Sequence, residues 1–256
     1  MKKYIPCRKC INKSPIPGYF YIEENGTQWL VECDCHKNWR AREELVYLAE
    51  KSNIWNDDII FNYKPEENYL GTLSKNNVNN LIKFTNNFEK ENFKSASLYM
   101  YGPNGTQKTT LVQWLGLSVL RKGYSVKYML MQQLVKLISD FVSVKEKEDK
   151  ENAIEELQSL DLLILDESFN KDKVTLYSSG FQIPYIETFL KERIEGRKKA
   201  TIFVSNTSPE NIIKHGFSES IQNLIIRNTV NKKTDLYFED EYYKNINRID
   251  TDFIFN

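Results

Sequence analysis

Apolar residues recur along this chain with two periods, and the period switches from segment to segment. SKNNVNNLIKFTNNFEK, from Ser74, carries Val78, Leu81, Ile82, Thr85 and Phe88 on one side of a helix. SLYMYG then reads as a short buried strand, and KTTLVQWLGLSVLRKG as a helix that ends near Gly123. SVKYMLM is a strand and QQLVKLISDFV a helix, followed by the charged KEKEDKENAIEEL, a solvated helix or loop. LDLLILDE is continuously apolar up to its acids, as in a strand buried on both faces of a parallel sheet. ETFLKERIEGR is helical and ATIFVSN is another strand. Strands alternating with helices predict an α/β fold with a parallel sheet flanked by helices.

The first part of the chain has a different pattern. Aromatic and β-branched residues flank Asn25-Gly26, the signal of a two-residue hairpin. HKNWRAREELVYLAEKSN follows as a helix, with Trp39, Val46 and Ala49 near helical spacing. The polar and aromatic stretch from Ser52 to Pro65 is where a domain boundary is expected. The expected organisation is therefore an N-terminal domain with its linker helix over 1–64, a main domain over 65–230 and a tail over 231–256. The tail mixes acids and aromatics, with an edge strand expected near Leu236–Phe238.

Composition narrows the function classes. Of 256 residues, 41% are apolar and 27% charged, which fits a chain that folds around its own core. Lys plus Arg and Asp plus Glu each total 35, so a globally basic nucleic-acid coat is excluded and only local basic patches remain. The apolar runs are too short to span a bilayer, so no membrane association is expected. The basic start MKKYIPCRKC has no apolar stretch behind it, unlike a signal peptide, and a cytoplasmic location is expected.

All four cysteines, Cys7, Cys10, Cys33 and Cys35, lie in the first 35 residues, as a CxxC pair and a CxC pair around the hairpin. A hairpin returns the chain to its start and brings the pairs together, so four thiolates can surround one zinc ion. Under reducing conditions the metal reading outweighs a disulfide one. His36, next to the tighter CxC pair, is a further candidate ligand in place of Cys33 or Cys35. Four protein ligands leave no open position, so the expected zinc is structural and the small domain serves for docking.

A nucleotide site is legible in four separated pieces. Gly102, Pro103, Asn104, Gly105, Thr106, Gln107, Lys108, Thr109 and Thr110 follow a strand and open a helix, in the manner of a P-loop. Backbone N–H groups of such a loop hold phosphate oxygens, Lys108 reaches the β- and γ-phosphates of ATP, and Thr109 holds Mg²⁺. Gln107 stands where glycine is usual; a left-handed backbone there costs ~1 kcal/mol with a side chain. Asp166 and Glu167 end the most apolar strand, where Asp166 is the expected Mg²⁺ ligand and Glu167 the group that orients or deprotonates water. Asn206, at the end of the next strand, is placed to position water or the γ-phosphate, or alternatively to cap the following helix. Arg227 is either a finger that reaches a neighbouring subunit's nucleotide or a surface ion pair.

With these pieces the chain resembles the AAA+ ATPases of the bacterial and phage helicase-loader group, the DnaC/DnaI-like proteins. The resemblance runs from Asn68 to Val230 and rests on Gly102–Thr110, Leu162–Glu167, Ile202–Asn206 and the Arg227 segment. KVTLYSSGFQIPYIETFLKERIE also resembles the segment after the second motif in phage-type members, and the cysteine pairs resemble the zinc-bearing helicase-contact domain of some loaders. The resemblance implies an AAA+ core, ATP and Mg²⁺ as cofactors, and a catalytic set of Lys108, Glu167, the sensor Asn206 and the trans-acting Arg227. It also implies an ATP-dependent homo-oligomer that binds the replicative helicase and single-stranded DNA. The third P-loop glycine and a clear helical lid are both missing here.

DNA contacts have weaker signals. Lys191, Arg193, Arg197, Lys198 and Lys199 cluster at a helix end, either as phosphate ligands or as solvated cations complementing the helix dipole. Tyr19, Tyr21 and Trp29 on the hairpin either stack on bases or pack locally. Two other functions share the ATP core. One is a transposition-helper ATPase of the IstB type. The other is a non-hydrolysing nucleotide-dependent module that docks a host replication protein, a reading favoured by Gln107.

Overall fold

The computed structural model describes residues 4–11, 13–54, 57–71, 74–143, 147–176 and 180–239. The chain forms two compact units, Met1–Lys51 and Ser52–Asn256.

In the first unit, β1 (Tyr19–Glu24) and β2 (Thr27–Glu32) form an antiparallel hairpin in which Glu24 pairs with Thr27. Asn25 and Gly26 both take positive φ, the backbone that a two-residue turn matching the strand twist requires. α1 (Asp34–Lys51) follows directly, with Asp34 in its first turn and Lys51 in its last, both matched to the helix dipole.

The second unit starts with three short or amphipathic helices, α2 (Asp57–Phe61), α3 (Pro65–Asn68) and α4 (Lys75–Asn86). α4 buries Val78, Leu81, Phe84 and Thr85, and stops at Asn86, short of Phe88. After α5 (Glu91–Lys94) come β3 (Ser97–Tyr101), α6 (Lys108–Leu120), β4 (Val126–Leu130), α7 (Met131–Ser143) and α8 (Lys147–Ser159). Then follow β5 (Leu162–Asp166), α9 (Ile183–Lys191), β6 (Ala200–Ser205), α10 (Glu219–Asn228) and β7 (Asp235–Tyr237). A π-helical turn over Glu192–Gly196 continues α9, and a 3-10 helix over Pro209–His215 separates β6 from α10.

The five strands form one sheet in the order β4-β5-β6-β3-β7, and every pairing is parallel. β5 and β6 are buried at every residue, which explains their unbroken apolar sequence. One core packs Tyr99, Leu163, Leu165 and Phe203 of the sheet against Leu134, Ile138, Phe189, Leu190 and Ile221 of the helices. α6 lies against β4, β5 and β6 and buries Leu111, Val112, Leu115 and Val119. The edge strand expected near Leu236–Phe238 is β7, beside β3; the expected tail continues beyond residue 239, outside the described residues. At Gly102 a Cβ would come within 2.1 Å of the Phe238 carbonyl oxygen, so the exit of β7 demands glycine at the start of the P-loop. No described helix is long and apolar enough to cross a membrane.

Three of the five cations clustered at the end of α9 are engaged within the fold, while Lys191 and Lys198 are exposed. Arg193 is fully buried, contrary to both expectations, a phosphate ligand and a solvated cation. It donates to the carbonyls of Leu157, Gln158, Leu160 and Ala200 and to Thr201 Oγ1. Leu157 and Gln158 lie in the last turn of α8 and Leu160 directly follows it, where helix carbonyls lack partners and a cation is favoured. Arg197 pairs with Glu155 and Glu192, and Lys199 with Asp161.

Candidate functional site: a P-loop cleft and a cysteine cluster

The C-terminal ends of β3, β5 and β6 converge on a half-open cleft of about 220 Å³. Its wall runs from Asn104 to Thr109, and Asp166, Glu167 and Asn206 face it from the neighbouring strands. Lys108, Thr109, Asp166, Glu167 and Asn206 are thus brought together. Gly102 and Pro103 frame the base of the loop; Arg227 is not part of this cleft.

The loop is pre-shaped by its own hydrogen bonds. Lys108 is buried, and its Nζ donates to the carbonyls of Gly102 at 2.8 Å and Pro103 at 2.7 Å and to Thr106 Oγ1 at 3.1 Å. Burial lowers its ammonium to about 8, against an opposing pull from Asp166. The cation therefore sits in its own cradle, ready to exchange carbonyls for phosphate oxygens. Gln107 has φ +59°, the left-handed backbone for which glycine is the usual residue. α6 starts at the next residue and aims its N-terminal N–H groups into the cleft.

Opposite the loop, Asp166 is 3% exposed, and its carboxylate is held on both oxygens. Oδ2 accepts from Thr109 Oγ1 at 2.7 Å and from the Tyr128 hydroxyl at 2.8 Å, while Oδ1 accepts from the Glu167 N–H. An exposed hydroxyl on a buried carboxylate, beside a P-loop, is a donor set suited to a hard divalent cation such as Mg²⁺. Glu167 has φ +52°, and its carboxylate lies 3.4 Å from Lys173 Nζ in a half-exposed pair. Asn206 donates to Asn104 Oδ1 at 2.7 Å, so this side chain bridges to the P-loop. The N-cap position of the following 3-10 helix belongs to Ser208.

Tyr128 is the site residue that sequence reasoning misses. Burial, followed by the Asp166 charge, raises its phenol above the ordinary value and keeps it a donor. The signal is indirect: in the parallel register Leu130 pairs with Asp166, so Tyr128 lies two residues back along the adjacent strand. Arg227, on α10, is 59% exposed and pairs with Glu195 at 2.6 Å.

In the first unit the four cysteine sulfurs all lie within 4.8 Å of one another. Distances are 3.9 Å for Cys7–Cys10, 3.7 Å for Cys7–Cys33 and 3.5 Å for Cys10–Cys35. A tetrahedron with zinc–sulfur bonds of ~2.3 Å has edges of ~3.8 Å, so the cluster fits that ion. The CxC spacing works because Cys33 precedes α1 and Cys35 lies in its first turn, with the Cys33 carbonyl accepting the first helical N–H bonds. The Tyr4 hydroxyl, 3.0 Å from Cys35 Sγ, is the largest cause that lowers this thiol to about 6. His36 is not in the cluster: its Nδ1 lies 2.6 Å from Glu32 Oε1, and its ring packs against Tyr4, Tyr19 and Trp39. Tyr19 thus packs locally, whereas Tyr21 and Trp29 are exposed.

The fold is of the AAA+ type, accompanied by a cysteine-rich N-terminal motif able to bind a metal ion. AMPPCP-bound DnaA from Aquifex aeolicus is 19% identical, with a TM-score of 0.56, covering 75% of this chain and 54% of its own. The chain therefore spans about half the length of that structure. The DnaC helicase loader is 16% identical, with a TM-score of 0.56, covering 70% of this chain and 98% of its own. DnaI is 16% identical, with a TM-score of 0.51, covering 72% and 91%. No curated protein matches the chain. Residues 72–174, which hold the P-loop, Tyr128, Asp166 and Glu167, match the family of IstB-like ATP binding proteins, and the chain is related to these ATPases.

Proposed function

We propose that this protein is an ATPase that uses nucleotide binding and hydrolysis to deliver a partner protein to DNA, in the manner of the IstB-like transposition helpers. One observation carries the ATPase reading: Lys108, Thr109, Asp166, Glu167 and Asn206 line a single cleft. The family match over 72–174 supports the IstB-type role.

In this reading the loop from Gly102 to Thr110 holds the phosphates of ATP, and Lys108 leaves its carbonyls for the β- and γ-phosphates. Thr109 and Asp166 hold Mg²⁺, which neutralises phosphate charge. Glu167 takes a proton from the attacking water as the water oxygen bonds to the γ-phosphorus and the bond to the bridging oxygen breaks, releasing ADP. Asn206 orients that water or the γ-phosphate. Exposed Arg227, outside its own chain's cleft, acts on the nucleotide of a neighbouring copy in a homo-oligomer. The Cys7, Cys10, Cys33 and Cys35 cluster holds a structural zinc, and this first unit docks the partner protein.

A second reading, loading of the replicative helicase onto single-stranded DNA, is supported by the cysteine unit together with the shared fold of the DnaC helicase loader and DnaI. Pull-down from the native cell lysate with ATP and Mg²⁺, read by mass spectrometry, separates the two. Recovery of a transposase supports the first reading, and recovery of the replicative helicase, lost when Cys7 and Cys10 become Ser, supports the second. ATP turnover is expected to be weak, to rise with DNA, and to vanish in Lys108→Ala and Glu167→Gln. Robust turnover in both variants would overturn the assigned site. ATP binding without turnover would favour the non-hydrolysing module.

A further inference from the structure

We propose that Tyr128 is a positioning residue that fixes the Asp166 carboxylate for the magnesium ion that accompanies the nucleotide. The inference rests on the ATPase reading and deepens it.

Two hydroxyls converge on one carboxylate oxygen. Thr109 Oγ1 is 2.7 Å and the Tyr128 hydroxyl 2.8 Å from Asp166 Oδ2. The Glu167 N–H, 2.7 Å away, engages the other oxygen. Thr109 has a second task in the site, since its hydroxyl oxygen is a ligand type for the cation. Tyr128 has no such task. It stands on β4, outside the loop from Gly102 to Thr110, and reaches Asp166 through its hydroxyl. Because Asp166 is almost wholly buried, water cannot replace a lost donor cheaply. A carboxylate with one donor fewer turns more freely and is presented less often in the orientation that the ion needs. Groups that orient a metal-binding side chain commonly govern metal affinity without touching the metal.

The test is the affinity of the full chain for a fluorescent ATP analogue, measured across a magnesium titration and in EDTA. Tyr128→Phe keeps the ring and removes one oxygen. It is expected to raise the magnesium concentration for half-maximal binding about tenfold, with affinity in EDTA changed less than about twofold. In an Asp166→Asn background the same substitution is expected to add no further shift. An unchanged magnesium dependence in Tyr128→Phe overturns the inference. So does an equal loss of affinity with and without magnesium, which is the signature of packing alone, or a full additional shift in the Asp166→Asn background. A native chain that binds the analogue without any magnesium dependence, or not at all, overturns the ATPase reading and this inference with it.

Discussion

Replacing Arg193 gives a sharp test of the packing between α8, α9 and β6. Arg193→Met keeps the length and apolar stem of the side chain and removes the guanidinium. The Leu157 and Ala200 carbonyls, whose bonds to Arg193 are fully buried, then lose their donor, and the Gln158 and Leu160 carbonyls lose theirs in partly buried positions. Each buried acceptor left without a partner costs ~1–3 kcal/mol. Allowing for partial relaxation, the expected destabilisation is about 3–5 kcal/mol. At ~2–4 °C per kcal/mol for a chain of this size, the melting temperature falls by roughly 6–20 °C. Thermal unfolding followed by near-ultraviolet circular dichroism reads this directly. Arg197→Ala is the control: it breaks only surface pairs and is expected to leave the melting temperature nearly unchanged. If Arg193→Met melts within about 2 °C of the native chain, or no lower than Arg197→Ala, Arg193 is not the clamp described.

The remaining predictions concern the loop, its lysine and the cysteine cluster. Gln107→Gly relieves a left-handed side chain but loosens the unfolded chain, so stability should rise by at most ~1 kcal/mol; a clear loss in urea unfolding would show that the Gln107 side chain itself supports the loop. Lys108 titrates at about 8 in the fold against an ordinary 10.5. Below 8 the fold bears the full cost of a buried charge, and between 8 and 10.5 it has shed the proton while the unfolded chain has not, so the stability contribution rises with pH across that window. Nucleotide affinity has the opposite slope, because phosphates need the ammonium: it should fall above pH 8, by up to tenfold per unit, and a flat profile from pH 7 to 9.5 would contradict the role of Lys108. Protein purified without added metal should carry about one zinc per chain by elemental analysis. Cys10→Ser should lose most of it; a native chain with far less than one ion would remove the zinc assignment.

Much of the architecture was legible because local pattern and tertiary role agree. LLILD is apolar throughout since β5 is covered on both faces, and Asn25-Gly26 marks the hairpin since that turn requires positive φ twice. The P-loop is legible for the same reason, as glycine spacing records backbone shape. Arg193 was not legible. A basic residue at a helix end reads as solvated, and only the packing of the π-helical turn against the end of α8 and the start of β6 puts carbonyls around it. Tyr128 was hidden by a similar limit: alternation assigns it to a strand, but register with β5 decides that its hydroxyl meets Asp166. The end of α4 at Asn86 shows the same thing on a smaller scale. The apolar stripe runs on to Phe88, which is fully buried although it lies outside the helix.

The central claim is that the cleft between the P-loop and the ends of β5 and β6 holds Mg·ATP. Isothermal titration of the full chain with a non-hydrolysable ATP analogue, with and without magnesium, tests it most directly. The account predicts saturable binding that magnesium strengthens, abolished in Lys108→Ala and weakened in Asp166→Asn. Heat of binding that survives Lys108→Ala undiminished, or a native chain that takes up no nucleotide, would contradict it.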